Sequence, residues 1–142
     1  MNISSILANK GKTVITADPD SSLGAISKTL ADNRIGAIVI IDAGGKVCGI
    51  VSERDIVRQV ASSGAGALDQ PISQCMTKKV VSCDGQSTVD EVMGIMTNHK
   101  FRHIPVIEGG GLVGIISIGD VVKHKIEQAE REAAELKQYI AG

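Results

Sequence analysis

Val47-Cys48-Gly49-Ile50-Val51-Ser52-Glu53-Arg54-Asp55-Ile56-Val57 returns 65 positions later as Leu112-Val113-Gly114-Ile115-Ile116-Ser117-Ile118-Gly119-Asp120-Val121-Val122. Five of the eleven positions are identical, and three more exchange one branched aliphatic residue for another. Upstream the echo holds at a spacing of 66, in Asp18/Asp84, Ser21/Ser87, Ile38/Ile104 and Ile41/Ile107, the lost residue falling in a Gly-rich turn. A short period would signal a solenoid, whereas two copies of about 60 residues signal two small units folded against each other. The functional site is then expected between the copies.

Composition supports an α/β (α+β) body. A chain of 142 residues suits one domain or one pair of half-domains, and buries roughly two thirds of its unfolded surface. Ile and Val supply 33 residues while Phe and Tyr supply one each, so the core is built from β-branched aliphatics that favour strands. The net charge of −1, with both signs interspersed and almost no aromatics, argues against a nucleic-acid platform. No apolar run approaches the ~20 residues of a spanning helix, and no charged-then-apolar secretory layout opens the chain. A cytoplasmic protein without membrane association is therefore expected. Cys48, Cys75 and Cys83 form no Cys-x-x-Cys pair and read as reduced small hydrophobes.

Along the chain, Ile3, Ile6 and Leu7 mark a short helical lead-in that Lys10-Gly11-Lys12 stops. Val14-Ile15-Thr16 reads as a strand, and Leu23, Ile26 and Leu30 recur at helical spacing to about Asn33. Ala37 to Ile41 is an apolar run too short for a helix, ended by the hairpin residues Asp42-Ala43-Gly44-Gly45, with Val47 to Val51 as its partner. Ser52 then caps a helix carrying Glu53 and Asp55 in its first turn. Each repeat is thus β-α-β-β-α. The second comprises a strand at Val80-Val81, a helix from about Gln86 to Asn98, strands Ile104 to Ile107 and Leu112 to Ile116, and a helix from Ile118. Expected boundaries are 1–64 for the first repeat with its lead-in, 65–74 for a linker, 75–127 for the second repeat and 128–142 for a helical extension. In the last helix Val122, Ile126, Ala129, Ala133, Leu136 and Ile140 step by four and three in turn. That stripe is either a solvated or intramolecularly capped face or a subunit contact.

With Gly49-Ile50-Val51-Ser52-x-x-Asp55, Gly114-Ile115-Ile116-Ser117-x-x-Asp120 and Arg102-His103-Ile104-Pro105-Val106 in view, the chain resembles a tandem cystathionine-β-synthase (CBS) domain pair from about Ile3 to about Ile126. The resemblance implies two β-α-β-β-α repeats packed about a pseudo-twofold axis, a homodimer, and a regulatory module that binds adenine-containing ligands in two clefts between the repeats. It implies Asp55 and Asp120 as ribose ligands, with Ser52 and Ser117 near the phosphates. Physically, a strand ending in Ser at a helix start offers a hydroxyl and free N–H groups to phosphate. An Asp three positions on sits in the first turn, where a carboxylate can accept both hydroxyls of a ribose, the role the resemblance implies.

One implied cleft combines Lys12, Thr13, Val14, Ile35, Gly36 and Ala37 with Ile115, Ser117 and Asp120. The other combines Lys79, Val80, Phe101, Arg102 and His103 with Ile50, Ser52, Arg54 and Asp55. Arg54, Lys100, Arg102, His99 and Arg34 are the cations available to phosphate. Only the Asp55 corner has an arginine at its helix start, since Glu53-Arg54 faces Ile118-Gly119 in the other copy; the tighter phosphate-bearing ligand is expected there. AMP is the first choice, with ADP, ATP, NAD(H) and S-adenosylmethionine open. The first copy has Val39 where the second has Pro105.

Competing readings carry less. Ser-x-x-Asp at a helix start is also plain N-capping, and only its duplication in register favours a ligand role. His99 and His103 at four-residue spacing are not expected to share a face, so no metal site is assigned. Phe101, alone between a helix and a strand, reads as a core residue or as a platform for adenine. Gly109-x-Gly111-x-x-Gly114 fits a dinucleotide fingerprint literally but runs into a strand rather than a helix. No nucleophile–base pair or paired carboxylate emerges, so no enzyme activity is expected. The rival is an adaptor whose last helix engages an unidentified regulated enzyme without regard to ligand.

Overall fold

The computed structural model describes residues 2–11 and 14–141. Helix α1 (Ile3–Lys10) precedes strand β1 (Thr16–Ala17), helix α2 (Leu23–Asn33), strands β2 (Ala37–Ile41) and β3 (Val47–Ser52) and helix α3 (Glu53–Ser63). Two short 3-10 turns, Ala65–Asp69 and Ile72–Gln74, lead to helix α4 (Val89–His99), strands β4 (His103–Glu108) and β5 (Gly111–Ser117) and helix α5 (Ile118–Ala141). β1 pairs parallel to β2, and β2 antiparallel to β3. β4 and β5 form the matching antiparallel hairpin. Even the irregularities repeat: the β2–β3 register slips between Ile40 and Ile41, and the β4–β5 register between Val106 and Ile107.

The strand expected at Val80-Val81 does not form. Only Cys83 bridges Val106, donating its N–H to Pro105 O at 3.0 Å and accepting from Ile107 N at 2.8 Å. In a parallel ladder, the next bond back would need an N–H from residue 105, and proline has none. In the first copy Val39 occupies that position, and the ladder continues through Thr16↔Val39. β1 itself lies at Thr16–Ala17, slightly later than its apolar residues suggest. α4 begins at Val89 rather than Gln86, because Asp84 Oδ1 holds the N–H groups of Gln86 and Ser87 in a turn and Thr88 is the cap.

Two cores result. Leu23, Ile26 and Leu30 of α2 pack on Ile38, Ile40 and Val51 of the sheet and on Ile56 of α3. Val89, Val92 and Met96 of α4 pack on Ile104, Val106 and Ile116 and on Val121 of α5. The lead-in segments complete these cores crosswise. Ile3, Ile6 and Leu7 of α1, first in the chain, are buried in the second core. Ala67 and Ile72, which precede the second copy, are buried in the first. Backbone bonds repeat the exchange, Ile3 N to Ser87 O at 3.0 Å and Ile72 N to Ser21 O at 2.7 Å. Residues 65–74 therefore carry core side chains as well as the connection.

The crossing explains the glycine of the duplicated motif. A Cβ on Gly114 would lie 2.6 Å from a Leu7 methyl carbon, and one on Gly49 would run into Met76 Sδ. Each repeat keeps a bare backbone where the other's lead-in presses on its sheet.

Candidate functional site

The two strand-to-helix corners share one construction. Ala37 lies opposite Ser52 in the first hairpin and His103 opposite Ser117 in the second. Glu53 N donates to Gly36 O at 3.0 Å, and Ile118 N to Arg102 O at 2.8 Å. At the first corner Ser52 Oγ accepts from Asp55 N at 3.3 Å, and Asp55 Oδ2 accepts from Ser52 N at 2.8 Å and from Ser52 Oγ at 3.0 Å. At the second, Ser117 Oγ accepts from Asp120 N at 3.1 Å and Asp120 Oδ2 accepts from Ser117 N at 2.8 Å. Both motifs are thus reciprocal caps that satisfy helix-start donors. Capping engages one carboxylate oxygen, and among the described residues no hydrogen bond reaches Oδ1 of either aspartate. Capping and ligand contact are therefore compatible in one side chain.

The Asp55 corner opens into a cleft of about 720 Å³ lined by Gly36, Ala37, Ile50, Ser52, Glu53, Arg54, Asp55, Val57, Arg58, Thr77, Lys79, Val81, His99, Lys100, Phe101, Arg102 and His103. Eight residues expected together, Ile50, Ser52, Arg54, Asp55, Lys79, Phe101, Arg102 and His103, meet here. Val81 takes the place expected for Val80, and Gly36 and Ala37, expected for the other cleft, line this one. His99 and His103, expected on different faces, both reach it, from the end of α4 and the start of β4. Among the described residues no group of three or more His, Cys, Asp or Glu is placed to hold a metal ion. Phe101 is not a core residue: it is half-buried on the cleft wall, its ring stacked on His99 with centroids 5.6 Å apart and planes 12° from parallel. Arg34 does not line the cleft, but Arg58 and Thr77 do. Arg58 was legible as the i+4 neighbour of Arg54 on one helical face. Thr77 was not, since it joins the wall through backbone bonds with Ile50, at 3.1 and 2.9 Å.

Five permanent cations, Arg54, Arg58, Lys79, Lys100 and Arg102, thus face two carboxylates, Glu53 and Asp55. Burial pushes His103 below the ordinary imidazole range, and the charges of Lys10 and Arg102 add to this, against Asp120 and Glu53. At neutral pH the ring is an uncharged donor and acceptor. Burial also raises Cys75, and Asp55 nearby adds to it, which lowers the thiolate fraction of that thiol at neutral pH.

The second corner is different. Lys10 Nζ, from the end of α1, donates to Asp120 Oδ2 at 2.7 Å and to Ile115 O at 2.8 Å. Burial alone would raise the Asp120 carboxyl; the Lys10 hydrogen bond, the Ser117 N–H and the lysine charge outweigh it and hold the group below the usual carboxylate range. Ser117 and Ile115 stand at this corner as expected, while Ile35 packs against the first core and Val14 is half-buried ahead of β1. Lys12 and Thr13 lie outside the described residues. Lys10, read in the sequence only as a helix stop, is the residue that sets this corner apart.

Duplicated hairpins, reciprocally capped corners and a cleft at their seam define a paired-repeat architecture. The profile of the CBS domain matches residues 7–62 and again 72–127, so the chain belongs to the CBS domain family and carries the domain twice. It is 30% identical over 148 aligned positions to the Arabidopsis thaliana CBS domain-containing protein CBSX3, mitochondrial, covering 99% of this chain and 72% of that protein. Some curated relatives are much longer: the match spans only 23% of the Arabidopsis protein CBSCBSPB1. Among solved structures, the CBS-domain protein ATU1752 of Agrobacterium tumefaciens is similar with a TM-score of 0.86 and 50% identity, over 88% of this chain and 99% of that one. The CBS domain pair of MJ0100, solved in complex with 5-methylthioadenosine and S-adenosyl-L-methionine, is similar with a TM-score of 0.81 and 26% identity, over 90% and 98%. Among the described residues no helix is long and apolar enough to cross a membrane.

Proposed function

We propose that this CBS pair is a non-catalytic regulatory sensor that binds an adenine nucleotide, AMP first among them, in the Asp55 cleft. The observation that carries the reading is that cleft: an aspartate at a strand-to-helix corner, with an unengaged oxygen, within a wall of five cations. In this reading Asp55 Oδ1 accepts from the ribose hydroxyls, the apolar strand residues hold the purine, and Arg54, Lys79 and Arg102 neutralise phosphate. The adenosyl ligands of the MJ0100 pair support the nucleoside half of the assignment. The cation excess supports a phosphate-bearing ligand over neutral methylthioadenosine or cationic S-adenosylmethionine; ADP, ATP and NAD(H) share that chemistry. The three free cysteines suit a reducing compartment, the cytoplasm.

With no Trp and one Tyr, the polypeptide hardly absorbs at 280 nm. A co-purified purine therefore dominates the spectrum near 260 nm, and acid extraction identifies it. Calorimetry with AMP, ADP, ATP, NAD and S-adenosylmethionine ranks the candidates. Tighter binding of S-adenosylmethionine than of every phosphate-bearing ligand contradicts the phosphate assignment.

A second reading draws on the exposed residues of α5, Leu136, Tyr139 and Ile140. In it, α5 captures a regulated enzyme without ligand dependence. Truncation after Glu127 separates the two: lost partner capture with unchanged nucleotide affinity favours the adaptor.

A further inference from the structure

Helix α5 has a buried face and an exposed apolar one. Val121 and His124, fully buried and 9% exposed, turn toward the second repeat. The other face, Val122, Ile126, Ala129, Ala133, Leu136 and Ile140, is exposed along its whole length, with Val122 at 46%, Ile126 at 53%, Leu136 at 59% and Ile140 at 76%. Its steps of four, three, four, three and four place Ile126, Ala133 and Ile140 at heptad position a and Val122, Ala129 and Leu136 at position d.

Positions beside this seam carry charge in blocks. Lys125 and Glu132 fall at g; Lys123, Glu130 and Lys137 fall at e. In a parallel two-stranded pair each g residue faces the e residue five positions on in the other chain. Lys125 then meets the partner's Glu130, and Glu132 meets the partner's Lys137, all attractive. In an antiparallel pair with the seams aligned end to end, e faces e and g faces g. Glu130 would then meet Glu130, Glu132 would meet Glu132, and Lys123 would meet Lys137, all repulsive. Lys125 Nζ also holds Asp90 of α4 at 2.6 Å, so the Glu132–Lys137 pair is the cleaner discriminator.

We propose that the outer stripe of α5 is covered by the same stripe of a second copy of this chain, in a parallel two-stranded coil in register. Two alanines keep the seam thin, so the helix axes approach closely at Ala129 and Ala133, and charge rather than bulk sets the direction. The proposal is independent of what occupies the Asp55 cleft.

Oxidative cross-linking tests it in the full-length chain with Cys48 and Cys75 replaced by serine. Leu136→Cys is expected to form a disulfide-linked dimer, while mixing it with an Ile126→Cys chain gives no 126–136 species in excess of the two homodimers. Lys137→Glu is expected to reduce cross-linking at least tenfold, and the double change Glu132→Lys with Lys137→Glu to restore it. Circular dichroism matching the parent confirms that each variant folds. Predominant 126–136 cross-links, charge changes without effect, or no cross-link with a monomer by sedimentation at every concentration would each overturn the proposal.

Discussion

Asp55 and Asp120 are the same residue in two copies, with different neighbours. Asp55 lines an open cleft with its Oδ1 unengaged among the described residues, whereas Asp120 meets Lys10 from a helix 110 positions away in sequence. A ligand reaching Asp120 Oδ1 meets a carboxylate whose charge an ammonium on the neighbouring oxygen, Oδ2, already neutralises. Replacing Lys10 with Met is therefore expected to add a second, weaker nucleotide site, read in calorimetry as stoichiometry rising from one toward two per chain. An unchanged stoichiometry of two in both proteins would show that Lys10 blocks nothing.

Lys100, at the cleft, and Arg34, its counterpart outside it, both adopt left-handed backbone, with φ of 58° and 53°. A side chain there costs about 1 kcal/mol relative to glycine. Lys100→Gly is expected to stabilise the fold by about that amount in denaturant titration while weakening nucleotide binding. Arg34→Gly should give the same stability with affinity unchanged. Loss of affinity in both would point to loop geometry rather than to the Lys100 charge.

His103 supplies a pH dependence. Its folded value lies below the ordinary imidazole range because the ring is buried, so the free protein holds it neutral at pH 7. A bound phosphate favours the imidazolium and raises the value, so binding takes up a proton. Nucleotide affinity is expected to rise as pH falls through the ordinary imidazole value toward the free protein's lower one. Calorimetry in buffers of different ionisation enthalpy reads the proton directly, and His103→Gln should abolish the uptake. For the unliganded fold the sign is opposite: the depressed value contributes stability above the unfolded imidazole value that is lost as pH falls through the folded one.

At the scale of elements, α2 and β2 were legible to the residue because apolar spacing and turn chemistry act locally: Leu23, Ile26 and Leu30 on one face, and an apolar run closed by Asp42-Ala43-Gly44-Gly45. The missing second-copy strand was legible in principle, through the absent N–H of Pro105. The crosswise packing was not, because Leu7 meets Gly114 and Met76 meets Gly49 over separations that no local pattern encodes. It has a direct consequence. Gly114→Ala forces a methyl against Leu7 and should cost about 1–3 kcal/mol, and Leu7→Ala in the same chain should return part of that loss. Additive destabilisation in this double-mutant cycle would mean that the two residues do not touch in solution.

At the scale of the whole molecule, each lead-in completes the other repeat's core, so neither repeat is whole without the other's flank. A ligand wedged between β3, α3 and the start of β4 therefore touches both halves at once. It biases their arrangement to the extent that it binds one arrangement better. The duplicated corners were readable from Ser-x-x-Asp alone. Part of their inequivalence was readable as well, in Glu53-Arg54 against Ile118-Gly119; the rest was not, because it rests on Lys10 reaching across the fold and on cations gathered from α3, the 77–81 segment and the α4–β4 junction.

The most direct test is calorimetric titration of AMP into the wild-type chain, Asp55→Ala and Asp120→Ala. One dominant site per chain is expected in the wild type. Asp55→Ala should weaken it by about 1.5–3 kcal/mol, roughly ten- to a hundredfold, for loss of charge-assisted hydrogen bonds to the ribose, with Asp120→Ala close to wild type. Wild-type affinity and stoichiometry in Asp55→Ala would contradict the assignment of the Asp55 cleft as the nucleotide site.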